Sequence, residues 1–184
     1  MACTRYSTTI ASACRDSQPG ITKLFIANYN DILTYTLDTA GVILSGMTAS
    51  GVTTAEKCFY EVALNKQVGA VVDTPTINLI NGVSISKPKV SGFVQGMTSA
   101  VVAMYKSLLQ ADVVVVAKTI DAKYYIVGVV NGLSMSTGTY GTEATVDGKK
   151  GFTFELDGIE PYPMLELDPS VGGIGTTFET TFVI

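Results

Sequence analysis

The sequence predicts a mostly-β fold, either a β-sandwich or an open barrel with one flanking α-helix. Asn-Gly and Asp-Gly pairs recur at short intervals, and such pairs supply the positive φ angles that tight turns require. Between these pairs lie runs with the two-residue period of strands. One segment alone has helical spacing, and the order of strands, one helix and further strands fits a sandwich better than alternating βαβ units.

The strand predictions depend on two kinds of pattern. Apolar and polar residues alternate in residues 33–37 and again in residues 152–157, as in half-buried strands. Residues 113–117 and 124–130 are instead nearly continuous β-branched and apolar runs, which is typical of fully buried strands. Asp121-Ala122 lies between them as a plausible turn, so the two runs predict a buried hairpin.

The turn pairs stand at Asn81-Gly82, Asn131-Gly132, Asp147-Gly148 and Asp157-Gly158. The first joins two strand candidates, residues 76–80 and 83–86. Tyr124 and Tyr125 are adjacent in the second strand of the buried hairpin, so their side chains are expected on opposite faces. We expect one of them in the core and the other at an interface.

The predicted helix occupies residues 98–110. Its apolar residues recur at spacings of four, three and four, at Met97, Val101, Met104 and Leu108. This spacing predicts one amphipathic helix with Thr98 or Ser99 as its N-cap. Core packing is the expected role of the apolar stripe.

The composition indicates apolar surface that must be buried against other protein. Of the 184 residues, 15% are charged, against roughly 25% in a typical soluble domain, and the mean hydropathy is +0.35. The most apolar stretch, residues 93–117, contains Gln95, Lys106, Gln110 and Asp112 and falls short of the ~20 apolar residues of a membrane span. Residues 1–20 lack the apolar core of a secretory signal, so we expect folding in the cytoplasm and no membrane contact. Interfaces of obligate homo-oligomers are more apolar than those of transient complexes, so they can bury such surface.

Most hydrolase functions are excluded by the absence of histidine, which removes Ser-His-Asp and Cys-His systems and all histidine-based metal sites. Cys3, Cys14 and Cys58 are odd in number and match no zinc-site spacing, so we expect structural roles. The sequence therefore predicts no enzyme, no catalytic residue, no cofactor and no metal.

Two carboxylate pairs are the remaining acid-base candidates, Asp157 with Glu160 and Glu166 with Asp168. We favour the interpretation that they are exposed turn carboxylates, because no tryptophan and few aromatic residues flank them. The glycines at 172, 173 and 175 do not form a phosphate-binding loop.

The charge distribution argues against tight nucleic-acid binding. The net charge is −4, whereas gripping phosphates requires clustered Lys and Arg. Residues 143–184 hold eight carboxylates against Lys149 and Lys150. A solvated face is one interpretation, and a surface that repels phosphate is the other.

The chain divides into an arm of residues 1–20, a β-rich domain of residues 21–169 and a second arm of residues 170–184. The second arm ends in β-prone apolar residues, and bare strand edges of this kind recruit partners. We expect Phe178, Phe182 and Val183 to pack on a neighbouring subunit.

The order of features in residues 58–164 resembles small structural proteins of tailed phages that infect Bacteroidetes. Three segments carry the resemblance: residues 58–62, 112–141 and 149–164. The predicted helix precedes the second of these segments. The resemblance implies a tail-tube-like fold, in which sheets of neighbouring subunits join into rings and the rings stack. It also implies that residues 64–90 form a long hairpin bridging subunits or rings.

The interface residues expected on that hairpin are Ile77, Leu79, Asn81, Gly82 and Ile85, with the apolar ones on its inner face. The expected partners are copies of the chain in a ring or tube of six subunits per ring, other phage tail or head-tail proteins, and DNA that passes without specific binding. The expected location is the virion tail. The hairpin carries Lys66, Lys87 and Lys89 against Asp73 alone, so it does not suit an acidic lumen wall.

Two other functions remain open from the sequence. One is a capsid-decorating or head-completion protein. The other is a carbohydrate-binding β-sandwich of a tail fibre, although the loops carry Ser, Thr and Gly rather than the aromatic residues of sugar platforms.

Overall fold

The computed structural model describes residues 20–39, 41, 43–49, 58–62, 64, 69–78, 82–142, 148 and 150–168. These residues form eleven strands, one short 3-10 turn and one α-helix, α1 (Ser99–Leu108). The strands are β1 (Ile21–Asn28), β2 (Ile32–Leu37), β3 (Ile43–Ala49), β4 (Tyr60–Val62), β5 (Ala70–Asn78), β6 (Val83–Gln95), β7 (Val113–Thr119), β8 (Tyr124–Val127), β9 (Ser134–Thr142), β10 (Lys150–Asp157) and β11 (Leu165–Leu167).

The strands form two sheets. The larger has the order β2-β3-β11-β8-β7-β1-β4 and the smaller the order β5-β6-β10-β9. Neighbouring strands are antiparallel except β11 and β3, which are parallel. Neither sheet closes on itself within the described residues, so the prediction of a mostly-β, sandwich-like fold with one helix is confirmed.

Strand β7, which lies between β8 and β1 in the larger sheet, is buried on both faces. Val115 packs in the core between the two sheets, whereas Val114 and Val116 pack in a second core on the opposite face. A strand buried on both faces needs an apolar residue at every position, which explains the continuous run in the sequence. The predicted hairpin is confirmed, since β7 pairs with β8 and Ala122 makes the turn with φ 62°.

The core between the sheets contains Phe152, Phe154 and Leu156, all fully buried. They share one face of β10, so the alternation predicted for residues 152–157 is confirmed. Gly92 lies opposite Phe154 in the sheet, and a Cβ at this position would lie 2.6 Å from the Phe154 ring. The aromatic ring therefore occupies space that only glycine leaves open.

The alternation predicted for residues 33–37 is only partly correct. Tyr35 and Leu37 pack against the second core, but Leu33 is 63% exposed. The pairing of β2 with β3 shifts register between Ile32 and Thr34. Such an irregularity changes which face a side chain occupies, so Leu33 is out of phase with the other two.

The predicted helix is confirmed as α1, and Thr98 is its N-cap. The Thr98 hydroxyl accepts a hydrogen bond from the Val101 N–H at 3.4 Å. Val101 and Leu108 are buried between the sheets, whereas Met97 precedes the helix and is exposed. No helix in the part of the chain that the structure describes is long and apolar enough to cross a membrane.

Two of the predicted turns differ from hairpins. Gly132 has the expected positive φ of 78°, but Asn131-Gly132 carries the chain from β8 in one sheet to β9 in the other. Gly158 has no positive φ, because the chain continues after β10 to a bridge between Glu160 and Ser86. Asp147 lies outside the described residues, so the predicted turn at Asp147-Gly148 is not tested.

Candidate assembly surfaces

The predicted long hairpin is present as β5 and β6, which pair from Ala70 with Ser91 to Asn78 with Val83. Gly82 adopts φ 64° in the connection and is exposed. Leu79 and Asn81 lie outside the described residues.

The expectation that Ile77 and Ile85 share one face of the hairpin is wrong. Ile77 pairs with Ser84, whereas Ile85 pairs with Thr76. Paired residues share a face and successive residues alternate, so Ile77 and Ile85 point to opposite faces. The sequence pattern could not reveal this, because the register depends on the length of the connection.

The inner face of the hairpin is packed at one end and exposed at the other. Val71 and Val90 form an inner-face pair that packs into the core between the sheets. Ile77 occupies the same inner face six residues further along β5, but it is 65% exposed. We call residues 76–78 and 82–85 the hairpin tip. The inner face of the tip therefore presents Ile77 beside Ser84, and the described part of its own domain leaves Ile77 exposed.

The base of the hairpin is fixed to the segment before β11. Ser86 and Glu160 exchange backbone hydrogen bonds of 2.8 and 2.9 Å. The Asp73 carboxylate accepts a bond from the Met164 N–H at 2.9 Å and another from the Ser86 hydroxyl. These bonds anchor both strands, so the tip is held in a defined position relative to the domain.

Glu160 is buried, with 5% of its surface exposed, so its predicted role as an exposed turn carboxylate is wrong. Its two carboxylate oxygens accept the N–H groups of Val130 at 3.1 Å and Asn131 at 2.9 Å. Burial raises the pKa of Glu160, and the two N–H bonds oppose that rise. The side chain thus supplies hydrogen-bond acceptors to the turn that links the two sheets. No local sequence pattern indicates this role.

The chemistry available to Glu160 is limited by its surroundings. The cavity beside it has a volume of about 10 Å³, about enough for one water molecule. Its expected partner Asp157 is exposed at the end of β10. In the second predicted pair, Glu166 instead forms an ion pair with Lys123 at 3.2 Å. These contacts support a structural role for both Glu160 and Glu166.

The edges of the smaller sheet are β5 and β9, as far as the structure describes the chain. Natural sheets protect exposed edges with charged residues or proline. β5 has Asp73 and Pro75, but β9 has no charged residue and no proline along its nine residues. β9 is therefore an edge without these protective features.

An open cleft of about 890 Å³ lies where β5 begins. We call it the inter-sheet cleft. Residues from both sheets line it: Gly20, Ile21, Gly69, Ala70, Val71, Ala117, Thr119, Ile120, Tyr125 and Met164.

Tyr124 and Tyr125 lie on opposite faces of β8. Tyr124 packs in the second core, as predicted for one of the pair. Tyr125 is half-buried and contributes to the wall of the inter-sheet cleft. Its place at an interface stays a prediction.

Cys58 is buried, and burial raises its pKa to about 11. Its thiolate, the reactive form, is thus disfavoured, in agreement with a structural role. Within the described ranges no three His, Cys, Asp or Glu side chains group as metal ligands. Cys3, Cys14, Phe178, Phe182 and Val183 lie outside these ranges.

The positive charge of the hairpin is partly balanced within the domain. Lys89 forms an ion pair of 2.8 Å with Glu155 on β10, whereas Lys87 is exposed near the tip. Lys66 lies outside the described residues. Lys87 is therefore the cation that the described hairpin leaves available for a contact with a partner.

Comparison with known proteins finds no protein-family model, no curated protein and no solved structure that matches the chain. The surfaces described above and the sequence resemblance of residues 58–164 are therefore the features from which a function is proposed.

Proposed function

We propose that this protein is a subunit of a phage tail tube, which self-assembles into stacked rings that enclose a path for DNA. The observation that carries the proposal is the open four-stranded sheet, in which β9 forms an edge with neither charge nor proline. An exposed edge of this kind pairs readily with a strand of another chain.

Because β5 carries Asp73 and Pro75, we expect β9 of one copy to pair with a different surface of the next copy, and such a contact is heterologous. Each subunit then contributes β9 to one contact and the other surface to the next. A heterologous contact generates a ring when its rotation closes. Every second residue of an edge strand turns both its N–H and its C=O outward, so the nine residues of β9 offer about four or five such N–H and C=O pairs.

The composition supports an enclosed path for DNA rather than a grip on it. The net charge of −4 opposes binding to phosphates, and residues 143–184 carry eight carboxylates against two lysines. A lumen lined by acidic residues lets DNA pass without adhering. In this role the chain needs no cofactor, its partners are its own copies and other tail or head-tail proteins, and its place is the virion tail.

A charge on the β9 edge tests the proposal. Thr139 is exposed on β9, and Thr153 is its paired neighbour on the interior strand β10, also exposed. We expect Thr139→Lys to lower association by at least about tenfold in sedimentation velocity, because edge lysines oppose strand addition. Thr153→Lys is the matched control and should leave association within about twofold of the wild type.

Equal behaviour of the two variants would show that β9 is not an assembly edge. A stable monomer of the wild-type protein at high concentration would contradict the proposed function itself.

A further inference from the structure

Within the described residues, a helix covers the core between the two sheets at one end of the domain. Helix α1 lies where β1 finishes and β7 begins, and its Val101 and Leu108 are buried in that core. The inter-sheet cleft lies at the other end, where β1 begins and β7 finishes. The described residues therefore leave this second end of the core uncovered.

The wall of the cleft continues the core with side chains that are more exposed. Ile21, Val71 and Met164 pack at the margin of the core and also line the cleft. Further out, Ile120 is 46% exposed. The volume of the cleft is about 890 Å³, whereas one water molecule takes up about 30 Å³. Several apolar side chains are therefore needed to fill it.

The chain enters the described domain at this cleft. Gly20 lines the cleft, and its carbonyl oxygen accepts a hydrogen bond from the Ile120 N–H at 3.3 Å. The Thr22 hydroxyl donates to the Lys118 carbonyl oxygen at 3.0 Å, which fixes the start of β1. Gly20 has a φ of 133°, which lets the chain depart from the direction of the strand. Residues 1–19, which we call the N-terminal segment, therefore join the domain at the rim of the cleft.

The composition of the N-terminal segment suits the cleft. The described residues that line the cleft carry no charge. Residues 6–14 carry no charge either, and Tyr6 and Ile10 are their largest side chains. Arg5 and Arg15 flank this stretch and can remain in water. No charge then has to be desolvated when residues 6–14 enter the cleft.

The covalent link favours the N-terminal segment of the same chain over a second copy. Residues 15–19 span at most about 17 Å when extended, so they hold residues 6–14 close to the cleft. A short tether gives an effective concentration on the order of millimolar. A second copy offers only its concentration in solution, so the contact within one chain is the favoured one.

We propose that residues 6–14 of each copy fold back into the inter-sheet cleft of the same copy and complete the core between the sheets. Ile10 and Tyr6 are the anchoring side chains, and Ile120 is the exposed residue of the wall that they cover. The proposal goes beyond the proposed function and does not rest on it, because the contact lies within one chain.

A single tryptophan tests the docking in the full-length chain. The sequence contains no tryptophan, so Ile10→Trp adds one fluorophore, and Tyr6→Trp provides a second position for it. Clefts of this size bury about 70–90% of the surface of a bound ligand. We therefore expect acrylamide to quench the tryptophan at least about threefold less in the folded protein than in urea.

A charge in the cleft wall should release the N-terminal segment. In the Ile10→Trp protein, Ile120→Asp should raise the quenching at least about threefold. Ile159→Asp is the matched control, because Ile159 is a comparably exposed isoleucine, at 55%, that lines a different part of the surface. The control should leave the quenching unchanged. If circular dichroism shows that Ile120→Asp does not fold, Ile120→Asn takes its place with the same expected result.

Three results would overturn the docking: quenching as strong as in urea, equal effects of Ile120→Asp and Ile159→Asp, or protection from quenching that disappears on dilution. The last result would mean that residues 6–14 bind a second copy. Sedimentation velocity of the same samples measures association separately. A monomer with a protected tryptophan would support the docking and contradict only the proposed function.

Discussion

Glu160 gives the sharpest prediction about stability, because one buried side chain accepts two backbone N–H groups. Glu160→Ala leaves the N–H groups of Val130 and Asn131 without their acceptor. Each fully buried donor without an acceptor costs about 1–3 kcal/mol, but these two hydrogen bonds are part-buried, so water recovers part of the cost. We therefore expect a loss of about 3 kcal/mol, equivalent to a fall in Tm of about 6–12 °C for a chain of this size.

The assay is urea unfolding followed by circular dichroism and by tyrosine fluorescence, at several protein concentrations so that association does not mask the result. Glu166→Ala is the matched control, since its ion pair with Lys123 is exposed and such pairs contribute about 0–1 kcal/mol. A loss below about 1 kcal/mol for Glu160→Ala would refute the argument that this carboxylate holds the turn between the sheets.

The titration of Glu160 also predicts that the free energy of unfolding depends on pH. Burial raises the pKa of Glu160 above its ordinary value of 4.5, so the folded protein takes up this proton before the unfolded chain does. Wild-type stability relative to Glu160→Gln should therefore rise as the pH falls from the folded pKa towards 4.5, because the Gln variant has no proton to bind. If the stability of the wild type relative to Glu160→Gln instead fell over this pH range, the predicted direction would be wrong.

Three further predictions concern packing and assembly. Gly151→Ala places a Cβ 2.2 Å from the Val94 carbonyl oxygen, whereas a Cβ at its paired neighbour Gly141 meets nothing within 4 Å. We expect Gly151→Ala to lower the free energy of unfolding by about 1–3 kcal/mol and Gly141→Ala by less than about 1 kcal/mol; similar losses in urea unfolding would contradict this. Ile77→Asp should preserve the fold but block association, with Thr76→Asp as control, and sedimentation of the two decides it. Deletion of residues 172–184 should impair assembly while circular dichroism stays unchanged, and normal assembly of the truncated chain would disprove a role for that arm.

The sequence predicted those parts of the fold in which local pattern and burial agree. The fully buried β7 appears as a continuous apolar run, and Phe154 and its neighbours on β10 appear as a clean alternation. Thr98 caps the helix as its position suggests. At these places a single local rule determines the structure, so the sequence alone suffices.

The remaining features depend on contacts between distant parts of the chain. The bulge that exposes Leu33 and the register that turns Ile85 away from Ile77 depend on how partner strands align. Glu160 looks like any turn carboxylate until the fold brings the N–H groups of residues 130 and 131 to it. The inter-sheet cleft unites segments far apart in the sequence, and no local pattern marks it.

Negative-stain electron microscopy of the purified full-length protein tests the central proposal most directly. The proposed tail-tube function predicts rings or tubes of uniform diameter with a central channel, and their number should fall sharply for Thr139→Lys but not for Thr153→Lys. Images that contain only isolated small particles, with sedimentation showing a monomer at the same concentration, would contradict it.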